Sequence, residues 1–195
     1  MKCFHHFVPP KSVKLLQCWI DELGVEVIIS KPRKTKLGDF KVKGGSMIVS
    51  VNNNLNPYSF LITLTHELAH AFVYKDYVKS KSPHSEEWQL TFKSMLLSFL
   101  TPDYFPKDIL SALSLYIIKP KASTLSDINL SSVLRTYDTC KKIVISDINE
   151  GEEFSIGNGR LFVKGPRLRI RFRCIEKRTK KIYLFHPLTD VIQTQ

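Results

Sequence analysis

The residues of this chain best suited to chemistry are the run His66-Glu67-Leu68-Ala69-His70. On a helix, positions four apart lie on one face, so both imidazoles can reach a single ion. Neutral imidazole suits zinc, whose tetrahedral shell keeps one position open for water once three protein ligands are in place. Glu67 projects beside the pair. Its carboxylate is placed to take the proton of a water attacking a peptide carbonyl, so the chemistry expected of the run is hydrolysis of a peptide bond.

Such a site needs a third ligand. His84 is the leading candidate, 14 residues after His70, across a loop and at the start of the next helix. Two rivals stand nearby. Asp76 occupies the place of the last ligand in an HExxHxxGxxH pattern, but Val73 replaces the glycine that allows the sharp turn there. Glu86 or Glu87 could serve in the manner of sites with a glutamate ligand. His5, His6 and His186 have no comparable context. A side chain that stabilises the transition-state oxyanion would assist, and Tyr58, Tyr74 and Tyr77 are close in sequence, with nothing to choose among them.

The elements that must position these groups are legible from periodicity. Leu16, Trp19, Ile20 and Leu23 predict an amphipathic helix over 12–23, stopped by Gly24. A strand is expected over 25–29 and a basic loop over 31–36. A hairpin is expected from 39–43 and 47–51 around Gly44-Gly45. A long helix is expected from about Pro57 to about Tyr77, with Leu61, Leu64, Leu68 and Phe72 as its core stripe. Ser82-Pro83 reads as the cap and first position of a helix running to about Leu100. That helix carries Trp88, Phe92, Met95, Leu96 and Phe99 on one face. A further helix is expected over 107–117. Residues 121–137, rich in Ser and Thr, read as a connector. The period then changes from 3.6 to 2, and strands are expected at 142–146, 153–156, 160–164, 168–174 and 182–185, with a turn at Gly157-Asn158-Gly159.

The order Lys36-Leu37-Gly38, then Ile48 to Asn52 (IVSVN), then Leu64 to Ala71 (LTHELAHA), then His84-Ser85-Glu86-Glu87-Trp88 resembles the SprT-like, Spartan-related, zinc metalloprotease family. The resemblance covers about residues 10–120. It implies an α+β, zincin-like domain over 1–120 with a short sheet beside the active-site helix, and protein substrates in extended form, in some members attached to DNA. In that family the third histidine lies in an H-G-x-x-W/F motif, which His84 and Trp88 match while Ser85 replaces the glycine. Many members end in a zinc ribbon with two CxxC pairs. Here Cys140 and Cys174 stand alone, and two thiolates are too few for a closed structural site. The expectation is a small all-β module over 138–195 without metal, and one zinc ion (Zn2+) per chain.

The net charge is +11, with a pI near 9.5. An excess of this size suggests a polyanionic partner. In 164–181 it gathers as Lys164, Arg167, Arg169, Arg171, Arg173, Lys177, Arg178, Lys180 and Lys181, against Glu176 alone. Arg167, Arg169, Arg171 and Arg173 alternate with apolar residues. On a strand they would form a row about 6.6 Å apart, able to track the phosphates of DNA or RNA. The plainer alternative is a solvated face that keeps the sheet soluble and blocks edge pairing. No apolar run is long enough to span a bilayer and no secretory leader is evident, so a cytoplasmic protein with no membrane partner is expected. The four cysteines, none in a CxxC pair, read as small buried hydrophobes.

The function expected is therefore a zinc-dependent endopeptidase acting on protein or peptide substrates, with proteins bound to nucleic acid as one candidate class. The alternative is a non-catalytic nucleic-acid-binding protein that keeps the metal helix for structure. Glu67 favours the enzyme, because a carboxylate that does not ligate the metal serves no structural purpose in the site. A metal-dependent hydrolase of other amides stays open.

Overall fold

The computed structural model describes residues 3–33, 35–76, 82–118, 120 and 127–193. The chain is of mixed α+β class and divides into two compact units, Met1–Thr139 and Cys140–Gln195.

The first unit begins with two short helical turns, Phe4–Phe7 and Pro10–Ser12, and then helix α1, Val13–Leu23. Gly24 ends α1 with φ +63°, a left-handed cap that glycine adopts without steric cost. Strand β1, Glu26–Ser30, pairs in parallel with β3, Ser46–Asn52. Strand β2, Gly38–Lys43, pairs with β3 antiparallel, so the sheet order is β1-β3-β2 and β2 lies at an edge. Lys43 faces Ser46 across Gly44-Gly45, and both glycines have positive φ, as a two-residue hairpin turn requires.

Helix α2, Pro57–Asp76, carries the HExxH run. Asn56 caps it: its Oδ1 accepts the Ser59 N–H at 2.9 Å, and its Nδ2 donates to the Leu134 carbonyl at 2.9 Å and the Asp138 carboxylate at 2.6 Å. The sequence predicts a single apolar stripe on this helix. The structure buries it on most sides, with Phe60, Leu61, Ile62, Leu64, Leu68, Ala69, Ala71 and Val73 all in the core and Phe72 only half-buried. The reason is its central place: the sheet, α1 and α3 all pack against it.

Helix α3 spans Glu86–Leu97, with Ser85 rather than Ser82 as its N-cap. Ser82, Pro83 and His84 form the turn before it, so His84 precedes the helix instead of opening it. Helix α4, Lys107–Tyr116, follows. Helix α5, Ile128–Arg135, lies in the stretch read as a connector. It begins at Asp127, whose side chain accepts the Leu130 N–H, and it buries Leu130 and Leu134 in the core of the first unit. This unit therefore extends past 120.

The second unit holds a five-stranded antiparallel sheet in the order β7-β6-β5-β4-β8. Its strands are β4, Glu153–Ser155; β5, Leu161–Arg167; β6, Phe172–Glu176; β7, Ile182–Phe185; and β8, Ile192–Gln193. Its own core is Ile145, Ile148, Phe154, Phe162, Cys174 and Val191. Two expectations are corrected here. Residues 142–146 are not a strand: Val144 makes an isolated bridge to Asp190, and Ile145–Asp147 is a helical turn closed by the Asp147 carboxylate on the Val144 N–H. Residues 168–174 are not one strand either, because the chain reverses between Arg167 and Phe172. Of the cysteines, Cys174 is buried as expected, whereas Cys3, Cys18 and Cys140 are exposed. Among the described residues, no helix is long and apolar enough to cross a membrane.

Candidate metal centre

Helix α2 presents His66 and His70 one turn apart, and the turn before α3 returns His84 to them. The Nε2 atoms of His66 and His70 are 3.2 Å apart, and those of His66 and His84 are 3.4 Å apart. One nitrogen from each ring lies within 4.8 Å of the others. Two nitrogens bound to one tetrahedral zinc at 2.0–2.1 Å would be about 3.3 Å apart, so these separations fit the edges of such a shell. Among the described residues no other group of three metal-binding side chains is found. Asp76 and Glu86 are exposed, and neither they nor Glu87 joins the cluster.

All three imidazoles are held neutral. Burial pushes His66 down to about 3 and His70 down to about 4, and each is lowered further by its histidine neighbours. His84 is lowered by burial as well. A neutral ring keeps a lone pair free for an ion, so the donor set is already in its ligating state.

Trp88, paired with His84 by the motif that the chain resembles, lies in this site, where its part could not be read from the sequence. Its ring is fully buried and touches all three histidines, with centroid separations of 4.6 Å to His66, 5.1 Å to His70 and 4.7 Å to His84. Phe92, one turn later on α3, stacks on Trp88 and also meets His66. These two rings form an apolar wall behind the three histidines. Among the described residues the Trp88 indole N–H has no hydrogen-bond partner. The signal available in the sequence was the four-residue step from His84 to Trp88, which puts the indole in the first turn of α3, just after the segment that returns His84.

Glu67 is 7% exposed. Strand β2 passes directly over it: a Cβ at Gly38 would lie 2.5 Å from Glu67 Oε1 and 2.8 Å from Thr63 Cγ2. Any side chain there would force Glu67, Thr63 or the strand to shift. Burial raises the Glu67 carboxyl from 4.5 to about 8, helped by the nearby Asp39 carboxylate and opposed by Arg33, Lys36 and the Phe40 N–H. A carboxyl tuned to that range suits proton transfer near neutral pH.

The loop before β2 is fastened to β3. Arg33 Nε donates to Asn52 Oδ1 at 2.8 Å and its Nη1 to Ser50 Oγ at 3.0 Å. Asn52 Nδ2 donates in turn to the Lys36 carbonyl at 2.9 Å. These bonds set the path by which Gly38 reaches Glu67. They give a structural use to Asn52 and to Lys36-Leu37-Gly38, whose roles the sequence did not disclose.

The tyrosines separate. Tyr58 packs against Phe105 and Tyr137, as a core residue would. Tyr74 is exposed, continues the His66–His70 face by one more turn, and its ring meets Phe40. Tyr77 lies outside the described residues.

The four arginines of the tail are not a straight row. Arg167 ends β5, Arg169 and Arg171 lie in the turn, and Arg173 is in β6. All four are exposed.

Comparison with family models, with curated proteins and with solved structures yields no match.

Proposed function

We propose that this protein is a zinc-dependent endopeptidase, with His66, His70 and His84 as metal ligands and Glu67 as general base. The observation that carries the reading is the convergence of three neutral imidazoles on one point, next to a buried carboxyl that ligates nothing. Likeness to the SprT-like family, with its zincin-like domain, supports it through the same residues.

Zinc held there supplies Lewis acidity, polarising a carbonyl oxygen and making water a stronger acid. Its charge also favours the ionised form of Glu67. Glu67 then takes the proton of the attacking water on a carboxylate oxygen and delivers it to the departing amine nitrogen. The close passage of β2 at Gly38 confines that carboxylate, and the wall of Trp88 and Phe92 keeps bulk water from the back of the site. Substrates are proteins or peptides in extended form, which includes proteins bound to nucleic acid.

Zinc content per chain, measured together with hydrolysis of an unfolded protein, tests this. The wild type is expected to hold one zinc per chain. His84→Ala is expected to lose or weaken it. Glu67→Gln is expected to keep zinc while cleavage falls by about a hundredfold or more. A purified Glu67→Gln protein that cleaves as fast as the wild type removes the assigned base. A wild type that takes up no zinc on reconstitution removes the metal site. The alternative, a nucleic-acid-binding protein with a structural metal, corresponds to full zinc content and no hydrolysis.

A further inference from the structure

The reversal between β5 and β6 changes what the tail arginines can do. The Leu168 N–H donates to the Arg171 carbonyl at 2.8 Å, which closes a tight turn with Arg169 and Ile170 at its apex. The sequence through it is Arg167-Leu168-Arg169-Ile170-Arg171, and all five side chains are exposed. Leu168 and Ile170 stand 47% and 45% open to solvent. Among the described residues no carboxylate pairs with any of these arginines. Glu176, the only acid in 164–181, is buried and engaged by Arg160.

Protection of a sheet edge does not account for this charge, because β5 and β6 are interior strands of the sheet. Solubility does not account for two branched aliphatic side chains at the apex. The stem beneath is held in place: Gly165 lets the two strands close to a separation that a Cβ would forbid, 2.5 Å from the Arg173 carbonyl oxygen. Phe172 lies under the Lys164 ammonium at 4.1 Å and near the Arg167 guanidinium at 6.0 Å. The tip is therefore preorganised, which lowers the entropy lost on binding.

We propose that this hairpin end binds the minor groove of duplex DNA, with Arg167, Arg169 and Arg171 on phosphates and in the groove and Leu168 and Ile170 set against a base step. Arginine is favoured over lysine for phosphate and nucleic-acid recognition, and the narrow minor groove of A·T-rich DNA draws it by its negative potential. Leucine and isoleucine have no hydrogen-bonding group with which to read base edges. They act in minor-groove proteins as wedges that unstack a step and bend the duplex. Single strands are bound chiefly by stacking on aromatic rings, and the apex has none. The wide, shallow minor groove of A-form RNA offers no such slot.

The test is fluorescence anisotropy of the full chain with a labelled A·T-rich duplex across a salt series, with duplex bending read by energy transfer between its ends. Circular dichroism checks the fold of each variant. The wild type is expected to prefer the duplex to a single strand of the same sequence and to bend it. Arg167→Ser/Arg169→Ser/Arg171→Ser is expected to reduce the steepness of log K against log salt by about 2 to 3. Leu168→Ser/Ile170→Ser is expected to keep that slope but to lose bending and about tenfold in affinity. An unchanged slope in the arginine variant, or equal affinity for single strand and duplex, overturns the proposal. So does a neutral Leu168→Ser/Ile170→Ser variant on a duplex that never bends. Flotation with phosphatidylserine vesicles that requires Leu168 and Ile170, while duplex binding does not, makes the tip a membrane contact instead. None of these readouts depends on hydrolysis.

Discussion

At the scale of single residues the site is a matter of burial and proton affinity. His66 and His70 have pKa values lowered from 6.5 to about 3 and about 4, whereas Glu67 is raised from 4.5 to about 8. The signs oppose each other in the metal-free protein. Unfolding lets the histidines gain protons below 6.5, so their contribution to stability is lost as pH falls from there towards 4. Unfolding lets Glu67 release its proton above 4.5, so its contribution is lost as pH rises from there through 8. Urea unfolding of metal-free wild type and Glu67→Gln separates the two. The wild type should lose stability relative to the variant as pH rises from 4.5 to 8, and both should weaken as pH falls below 6.5, the variant more steeply because no Glu67 carboxyl offsets its histidines. A constant difference between the two proteins across that range would show that the Glu67 carboxyl is not held protonated by its surroundings. The pairing of His66 with His70, and Glu67 beside them, was legible in the sequence, because HExxH is a local motif whose geometry needs only a helix. The environment that tunes them was not. Asp39, Arg33 and Lys36 reach Glu67 only through the pairing of β2 with β3.

At the scale of elements the close approach of β2 to α2 matters most. Gly38 sits where any side chain would strike Glu67 and Thr63. Gly38→Ala is therefore expected to leave zinc content unchanged, since it touches no ligand, but to displace Glu67 or the strand. Displacements of about 1 Å at a reacting group cost about a hundredfold in rate. The expected outcome is a loss of that order in kcat with one zinc still bound, read by elemental analysis beside a progress curve. Wild-type turnover in the variant would mean that the strand yields without moving the carboxylate. The hairpin turn and the αL cap of α1 were readable because Gly44, Gly45 and Gly24 solve local backbone problems. The start of α3 was misplaced because Ser82-Pro83 and Ser85 are both good helix starts. Ser85 takes the cap, and this leaves His84 in the preceding turn, beside His66 and His70. The tail arginines were misread for a related reason. Strict alternation over 167–174 suits a strand, but nothing in a period of two marks a reversal with neither glycine nor asparagine at its apex.

At the scale of the whole molecule, two cores share no residue. One contains the apolar residues of α2 and also Leu130 and Leu134 of α5; the other is built on Phe154, Phe162 and Cys174. Units with separate cores are expected to fold separately. A chain ended after Thr139 should keep one zinc and Glu67-dependent hydrolysis of a free unfolded protein, and should lose its affinity for duplex DNA. Ending the chain at 120 should instead remove α5, expose the surface that Leu130 and Leu134 cover, and lower the melting temperature or abolish folding. If the 1–139 chain cannot fold, the second unit is needed for the stability of the first.

The sequence by itself determined the helix that carries His66, Glu67 and His70 on adjoining positions, and the gathering of positive charge near the C-terminal end. Each of these rests on spacing within a few residues, where backbone geometry leaves little choice, whereas the return of His84 to the pair needed the fold. Only the tertiary structure decided that Trp88 backs the three imidazoles, that Gly38 closes over Glu67, that α5 belongs to the first core, and that the arginines surround a hairpin tip. Those outcomes depend on which surfaces bury one another across dozens of residues of chain, and apolar burial is non-directional: a pattern shows that a face must be covered, and the packed fold shows by what.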